Sequence, residues 1–142
     1  MTMTNLLFHE IHQKSRLSIK EVNETLKEFN LYSAQWSILF CLNQFGSMTQ
    51  TEIHQYLNVE APTVTRTLVK LENRQLIIRN EGKDKRERIV QLTDSAKNLI
   101  PQIESRIEKL EQTMLQALTV DERIQLSMLL KKISGSGDVH VG

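Results

Sequence analysis

A mainly α-helical fold carrying one small β-hairpin is predicted for this chain by three observations. Apolar residues recur at three- and four-residue spacing through most of the sequence, the period that sets one face of a helix on a core. That period changes once, after Leu76, where Arg88, Val90 and Leu92 alternate with Ile89 and Gln91 as a strand lying on a core requires. Thr49 and Thr119 each stand three residues before a glutamate, Glu52 and Glu122, an arrangement that opens helices by satisfying two orphan amides reciprocally. With 142 residues the chain is long enough for one core and too short for two independent ones.

Taken in order, residues 5–29 read as a long amphipathic helix, with Phe8, Ile11, Ser15, Ser18, Val22 and Phe29 on its stripe and Ile19 and Leu26 widening it. Leu31-Tyr32 interrupts it, and Ser33 is the expected N-cap of a second helix running to about Asn43. That helix carries Trp36, Ile38, Leu39, Phe40 and Leu42, apolar on most sides, so it belongs in the core; Gly46-Ser47 closes it. The Thr49 box starts a short third helix, Gln50 to Tyr56, with Ile53 and Leu57 inward. A tight connection at Asn58-Val59 leads into a helix over Ala61–Arg74. There Val64, Leu68 and Leu71 form one apolar stripe, and Pro62, Thr63, Arg66 and Lys70 point away from it. Pro62 suits the first turn, where its missing amide has no helical partner to lose. The hairpin follows, with Gly82 permitting its turn. Thr93 is placed to cap a helix over Asp94 to about Ala117, striped by Leu99, Ile100, Ile103, Ile107, Leu110 and Met114 and bent at Pro101. The Thr119 box opens a last helix with Ile124, Leu129, Leu130 and Ile133. The tail 135–142 is too polar and glycine-rich to bury anything and is expected to be disordered.

The formal charge of +1 hides an uneven distribution. Between Arg66 and Arg88 lie eight basic and four acidic residues, a local balance of +4, while residues 1–65 sum to −2 and 94–142 to −1. A basic helix and turn on a near-neutral body is the footprint of a phosphate-binding surface; composition alone equally allows a solvated face. Cys41 is the only cysteine, which excludes an intrachain disulfide and a CxxC pair. His9 and His12 are too few for a closed zinc site, and no metal or cofactor is expected. No segment has the form of a signal peptide or the run of about 20 apolar residues that spans a bilayer, so a cytoplasmic protein away from membranes is the default. Neither a nucleophile with its base nor a paired-carboxylate cleft is offered, which argues against an enzyme.

A short capped helix, a tight turn, a helix with one exposed face and a basic hairpin, in that order, make a winged helix-turn-helix. At Leu31-Tyr32-Ser33-Ala34-Gln35-Trp36, Thr49-Gln50-Thr51-Glu52-Ile53, Pro62-Thr63-Val64-Thr65-Arg66 with Leu71-Glu72, Asp84-Lys85-Arg86 and Leu92-Thr93, the chain resembles the MarR family of winged-helix transcriptional regulators. The resemblance divides it into a helical dimerisation region (1–30 and 94–134) and a DNA-binding region (31–93). It implies a homodimeric repressor on a pseudo-palindromic operator, released by a small aromatic or anionic effector. Carried over residue by residue, Pro62, Thr63, Thr65, Arg66 and Lys70 form the recognition helix that meets bases and phosphates. Lys83, Asp84, Lys85, Arg86 and Arg88 form the wing, with Asp84 ordering the loop and Arg86 reaching into a minor groove. The residues themselves agree, because threonine hydroxyls and an arginine fork bond base edges and narrow minor grooves attract arginine. One departure stands out: family members often have glycine where this chain has Gln75, just past the recognition helix.

Alternatives stay open at this level. The terminal stripes can be buried against a second copy or in an intrachain three-helix bundle. Phe8, Tyr32 and Trp36 can line an effector pocket or simply be core. Cys41 invites a redox-sensing repressor, although its apolar neighbours favour an inert thiol and the thiol switches of the family carry their cysteine in the first helix. A winged module that binds protein instead of DNA is the remaining alternative, against which the +4 segment stands.

Overall fold

The computed structural model describes residues 6–82 and 87–138; Lys83, Asp84, Lys85 and Arg86, read above as the tip of the wing, lie outside the described residues. The elements are α1 (Leu7–Leu26), α2 (Ser33–Phe45), β1 (Met48–Thr49), α3 (Gln50–Leu57), α4 (Ala61–Asn73), β2 (Ile77–Glu81), β3 (Arg88–Leu92), α5 (Asp94–Met114) and α6 (Val120–Lys132). They form two compact bodies, dividing within α5 between Ile107 and Glu108.

In the first body, α1 tightens into a 3-10 turn over Lys27–Phe29 and stops where Asn30 takes a left-handed conformation (φ 56°). Asparagine tolerates that region better than most side chains, so the chain can reverse there. The N-cap of α2 is Tyr32 and not Ser33 as the sequence suggested. Tyr32 is extended, its amide donates to Gln35 Oε1 at 2.8 Å, and the Ser33 amide is taken by Asn23 Oδ1 at 2.7 Å. The predicted box at the start of α3 is present, with the Glu52 amide donating to Thr49 Oγ1 (3.1 Å) and the Thr49 amide donating to Glu52 Oε1 (2.9 Å). Asn58, again left-handed, closes α3 and lets the chain turn into α4.

The sheet has three strands in the order β1-β3-β2, where the sequence showed only the hairpin. Met48 and Thr49 pair with Val90 and Ile89, fixing the start of α3 to the base of the wing. The hairpin register sets Ile77 against Leu92 and Arg79 against Val90. Gly82 does not supply a left-handed turn; its amide donates to the Glu87 carbonyl, and a Cβ there would lie 3.1 Å from Glu87 Cβ, so close approach is what favours glycine. Thr93 caps α5 as expected, accepting from the Ala96 amide at 3.2 Å. The core joins Leu26, Leu39, Ile53, Leu68, Leu71, Ile77, Val90, Ile100 and Ile103, each 1% exposed or less. Most apolar positions predicted along α1 stay outside it: Phe8, Ile11 and Ile19 are exposed and only Leu26 is fully buried.

The second body holds the end of α5, a turn, and α6. The Thr119–Glu122 box is formed, and Arg123 Nη2 donates to the Leu115 carbonyl at 2.9 Å, bracing the turn before the helix. No residue of α6 is buried. A 3-10 turn at Ser136–Asp138 falls within the stretch expected to be disordered.

Candidate nucleic-acid interface

The site is built on α4, whose two faces differ in kind. Val64, Leu68 and Leu71 are buried, so the opposite face is fixed outward by the helical period. Of the predicted recognition residues, Pro62, Thr63, Thr65, Arg66 and Lys70 are all exposed on that face or at the start of the helix. Glu60 is the N-cap, and Pro62 falls in the first turn where it removes no helical bond.

The polar side chains there are partly pre-arranged. Thr65 Oγ1 donates to the Ala61 carbonyl and Thr67 Oγ1 to the Thr63 carbonyl, each at 3.0 Å, which fixes the hydroxyl rotors along the helix. Arg66 Nη2 donates to Thr63 Oγ1 at 3.2 Å, so this guanidinium lies back along the first turns with donors to spare. Arg88, the one predicted wing residue within the described part, is exposed at the base of β3. It joins Thr49, Gln50, Thr51, His54 and Thr65 around a polar cleft of about 180 Å³ between the starts of α3 and α4 and the wing. That volume is below the roughly 300 Å³ at which drug-sized ligand sites begin.

Not every cation of the basic segment is offered outward. Arg74, just past α4, donates to the Asn30 carbonyl (2.6 Å) and the Phe29 carbonyl (3.1 Å), tying the end of α4 to the reversal after α1. Arg79 in β2 is largely covered and forms an ion pair with Glu72 in α4 at 3.0 Å. That guanidinium beside Glu72 holds its carboxyl below the usual range. Neither residue was singled out from the sequence. The available signal was register: Arg79 shares a strand face with Ile77, so a charge there faces inward and needs a partner.

The residues expected to line an effector pocket are not gathered around that cleft. Phe8 is exposed and stacks on His12, Tyr32 is exposed at the N-cap of α2, and Trp36 is buried against Phe40. Cys41 is fully buried, its Sγ donates to the Ile38 carbonyl at 3.3 Å, and burial pushes the thiol up to about 11. At neutral pH it stays protonated and shielded, the state in which a cysteine is least reactive. Among the described residues no helix is long and apolar enough to cross a membrane.

An exposed polar helix face beside a β-hairpin, on a three-helix core, defines a winged helix-turn-helix protein. The MarR family pattern matches residues 31–87. Over 125 residues the chain is 45% identical to the uncharacterized HTH-type transcriptional regulator YwoH of Bacillus subtilis, covering 88% of this chain and 91% of that one. The chain belongs to the MarR family of transcriptional regulators. Among solved structures, a mutant MarR from E. coli complexed with operator DNA superposes with a TM-score of 0.83 at 26% identity, covering 95% of this chain and 100% of that one. The apo form of wild-type E. coli MarR gives 0.75 at 27% identity, covering 91% and 96%. A MarR family regulator from Rhodococcus, 14% identical, shares the fold with a TM-score of 0.86 over 92% of this chain and 94% of that one.

Proposed function

We propose that this regulator is a cytoplasmic repressor, without catalytic activity, that binds double-stranded DNA as a homodimer. Its operator carries two inverted half-sites, and a small aromatic or anionic effector releases it. The observation that carries the reading is the two-faced α4: one side closes the core through Val64, Leu68 and Leu71, and the other holds Thr63, Thr65, Arg66 and Lys70 in solvent on a rigid helix. A helix of that width fits a major groove, where hydroxyls and a guanidinium fork distinguish base edges. Arg88 and the wing residues Lys83, Lys85 and Arg86 supply phosphate and minor-groove contacts beside it, with Asp84 ordering the wing loop. The relative bound to operator DNA, which matches this chain over nearly its whole length, supports the reading.

The homodimer is supported by apolar side chains that one copy leaves exposed, among them Phe8 in α1 and Ile124, Leu129 and Leu130 in α6. Phe8, Tyr32 and Trp36 are the residues assigned to the effector. Sequencing duplexes retained by the purified protein at physiological salt tests the function directly. The expected result is an inverted repeat with half-site centres about 10 base pairs apart. Retention of no duplex above background rejects it.

A further inference from the structure

Glu72, Arg79 and Gln50 come from three different elements that all border the proposed DNA surface. Arg79 Nη2 and Nε donate to the two carboxylate oxygens of Glu72 at 3.0 and 3.4 Å, so both arms of the fork engage. Its third nitrogen, Nη1, donates to Gln50 Oε1 at 3.3 Å, at the first residue of α3. Only 12% of the Arg79 side chain is exposed, against 39% for Glu72. The cation sits opposite Val90 on the inward face of the hairpin, where the alternation begun by Ile77 calls for an apolar residue. A largely covered ion pair contributes little to stability beyond what an apolar substitute gives, because desolvation offsets the attraction. What the fork does supply is direction, since a planar bidentate contact holds only over a narrow range of orientations.

We propose that Glu72, Arg79 and Gln50 form a strut that sets the wing hairpin at a fixed distance and angle from the recognition helix, which makes Glu72 and Arg79 positioning residues for the wing's grip on DNA. The proposal rests on the DNA-binding reading above. It removes Arg79 from the phosphate contacts, although it belongs to the basic segment by sequence. It also reverses the sign expected of Glu72. A carboxylate beside a DNA surface repels phosphate, so charge alone predicts that Glu72→Gln tightens binding and leaves the salt dependence as steep or steeper. If the carboxylate instead holds the strut, the same substitution releases the wing. Specific affinity then falls about tenfold, and the slope of log affinity against log salt becomes shallower by about one as wing cations leave the phosphates.

The experiment measures affinity against salt on a selected duplex and on a scrambled one. It compares the full chain with Glu72→Gln, Arg79→Lys and Arg88→Ala, and with Arg88→Ala combined with Glu72→Gln. Arg79→Lys keeps the charge and loses the fork, so the strut predicts weaker binding and a charge-only role predicts none. Arg88→Ala should cost clearly less in the Glu72→Gln background than alone, because the wing it belongs to is already displaced. Helicity and melting of each variant are recorded beside the titrations. Should Glu72→Gln fail to fold, the Arg79→Lys arm decides alone. Parent-like or tighter binding by a folded Glu72→Gln or by Arg79→Lys overturns the strut while leaving the DNA reading intact. Absence of duplex binding by the unaltered chain overturns both.

Discussion

In α4 the apolar residues Val64, Leu68 and Leu71 are 2%, 0% and 0% exposed, whereas in α6 Ile124, Leu129 and Leu130 are 55%, 51% and 51% exposed, and Ile133 at its C-cap is 57% exposed. Both helices are thirteen residues long and both carry enough apolar side chains to need cover. The difference lies in what surrounds them along the chain. α4 is flanked within a few residues by α3 and β2, and the β1-β3-β2 sheet and α2 close over its inner face. Among the described residues, the apolar side chains of α6 find no such cover. Burying a large apolar side chain contributes about 1.5–3 kcal/mol at most, so a repeated set of them left in water is a strong drive to associate. The winged part is thus complete within a single chain, and the terminal helices are completed by a second copy under the proposed function.

The sharpest way to break this contrast is to charge the two surfaces separately. We predict that Leu129→Glu leaves the protomer folded, because that side chain is half exposed there, and abolishes the dimer by placing an unpaired carboxylate in its seam. The cost is on the order of several kcal/mol. Light scattering at micromolar concentration reads the outcome, and an unaltered chain that is already monomeric would remove the dimer from the proposal. Leu68→Ala should do the reverse. It opens a cavity in the closed part and lowers unfolding stability by about 2–5 kcal/mol in a urea titration, without altering the association state of the molecules that remain folded. Loss of less than about 1 kcal/mol would mean that the α4 contact is looser than its burial indicates.

The closed part also has a signature in alkali. Cys41 ionises near 9 when exposed and at about 11 in its buried place, so the folded chain keeps a proton that the unfolded chain releases. Stability linked to this group is fully present below pH 9 and is lost as pH rises towards 11. Compared with Cys41→Ala, the parent should therefore lose on the order of 2 kcal/mol more across that window. Parallel stability curves for the two proteins would mean that water reaches the thiol. On the outer face of α4, Arg66→Ala should weaken binding to the selected duplex by about 1–3 kcal/mol and to a scrambled duplex by little. Equal losses on both would show that the helix only holds the backbone of the duplex.

Features with a local cause were legible in the sequence. The stripe of α4, both threonine boxes and the Thr93 cap each depend on successive residues no more than four positions apart, and each is present. What escaped depends on distant partners. β1 is two residues long, too short for any alternation to register, and exists because Val90 and Ile89 pair with it from 42 and 40 residues away. Arg74 spans 44 positions to reach Asn30, and Arg79 spans 29 to reach Gln50. Ser33 was read as a cap from its type, yet Asn23, ten residues earlier, takes the Ser33 amide. In the interface the outward face of α4 followed from period alone, while the division of the basic segment into outward cations and internal struts did not. Charge counts the arginines without telling which already have a partner.

The smallest effect concerns the corner that joins the two halves of the interface. Gln75 lies between α4 and β2 with φ 59°, the left-handed conformation that glycine adopts freely and a side chain with a Cβ does not. The corner is held from both sides: the Leu76 amide donates to the Leu71 carbonyl at 3.0 Å, and Thr93 Oγ1 donates to the Gln75 carbonyl at 2.7 Å. Neither bond uses a side-chain atom of residue 75, so both survive any substitution there, and the glutamine side chain itself is exposed. Gln75→Gly therefore relieves about 1–2 kcal/mol of backbone strain. It also gives the unfolded chain more freedom, which takes back roughly 0.4–1 kcal/mol. The net expectation is a gain of about 0.5–1 kcal/mol in unfolding stability. Gln75→Ala is the control, since alanine keeps the strain and the Cβ, and it should leave stability close to that of the parent. If Gln75→Gly instead destabilises while Gln75→Ala does too, the glutamine side chain contributes a contact of its own, and strain is not what governs this corner.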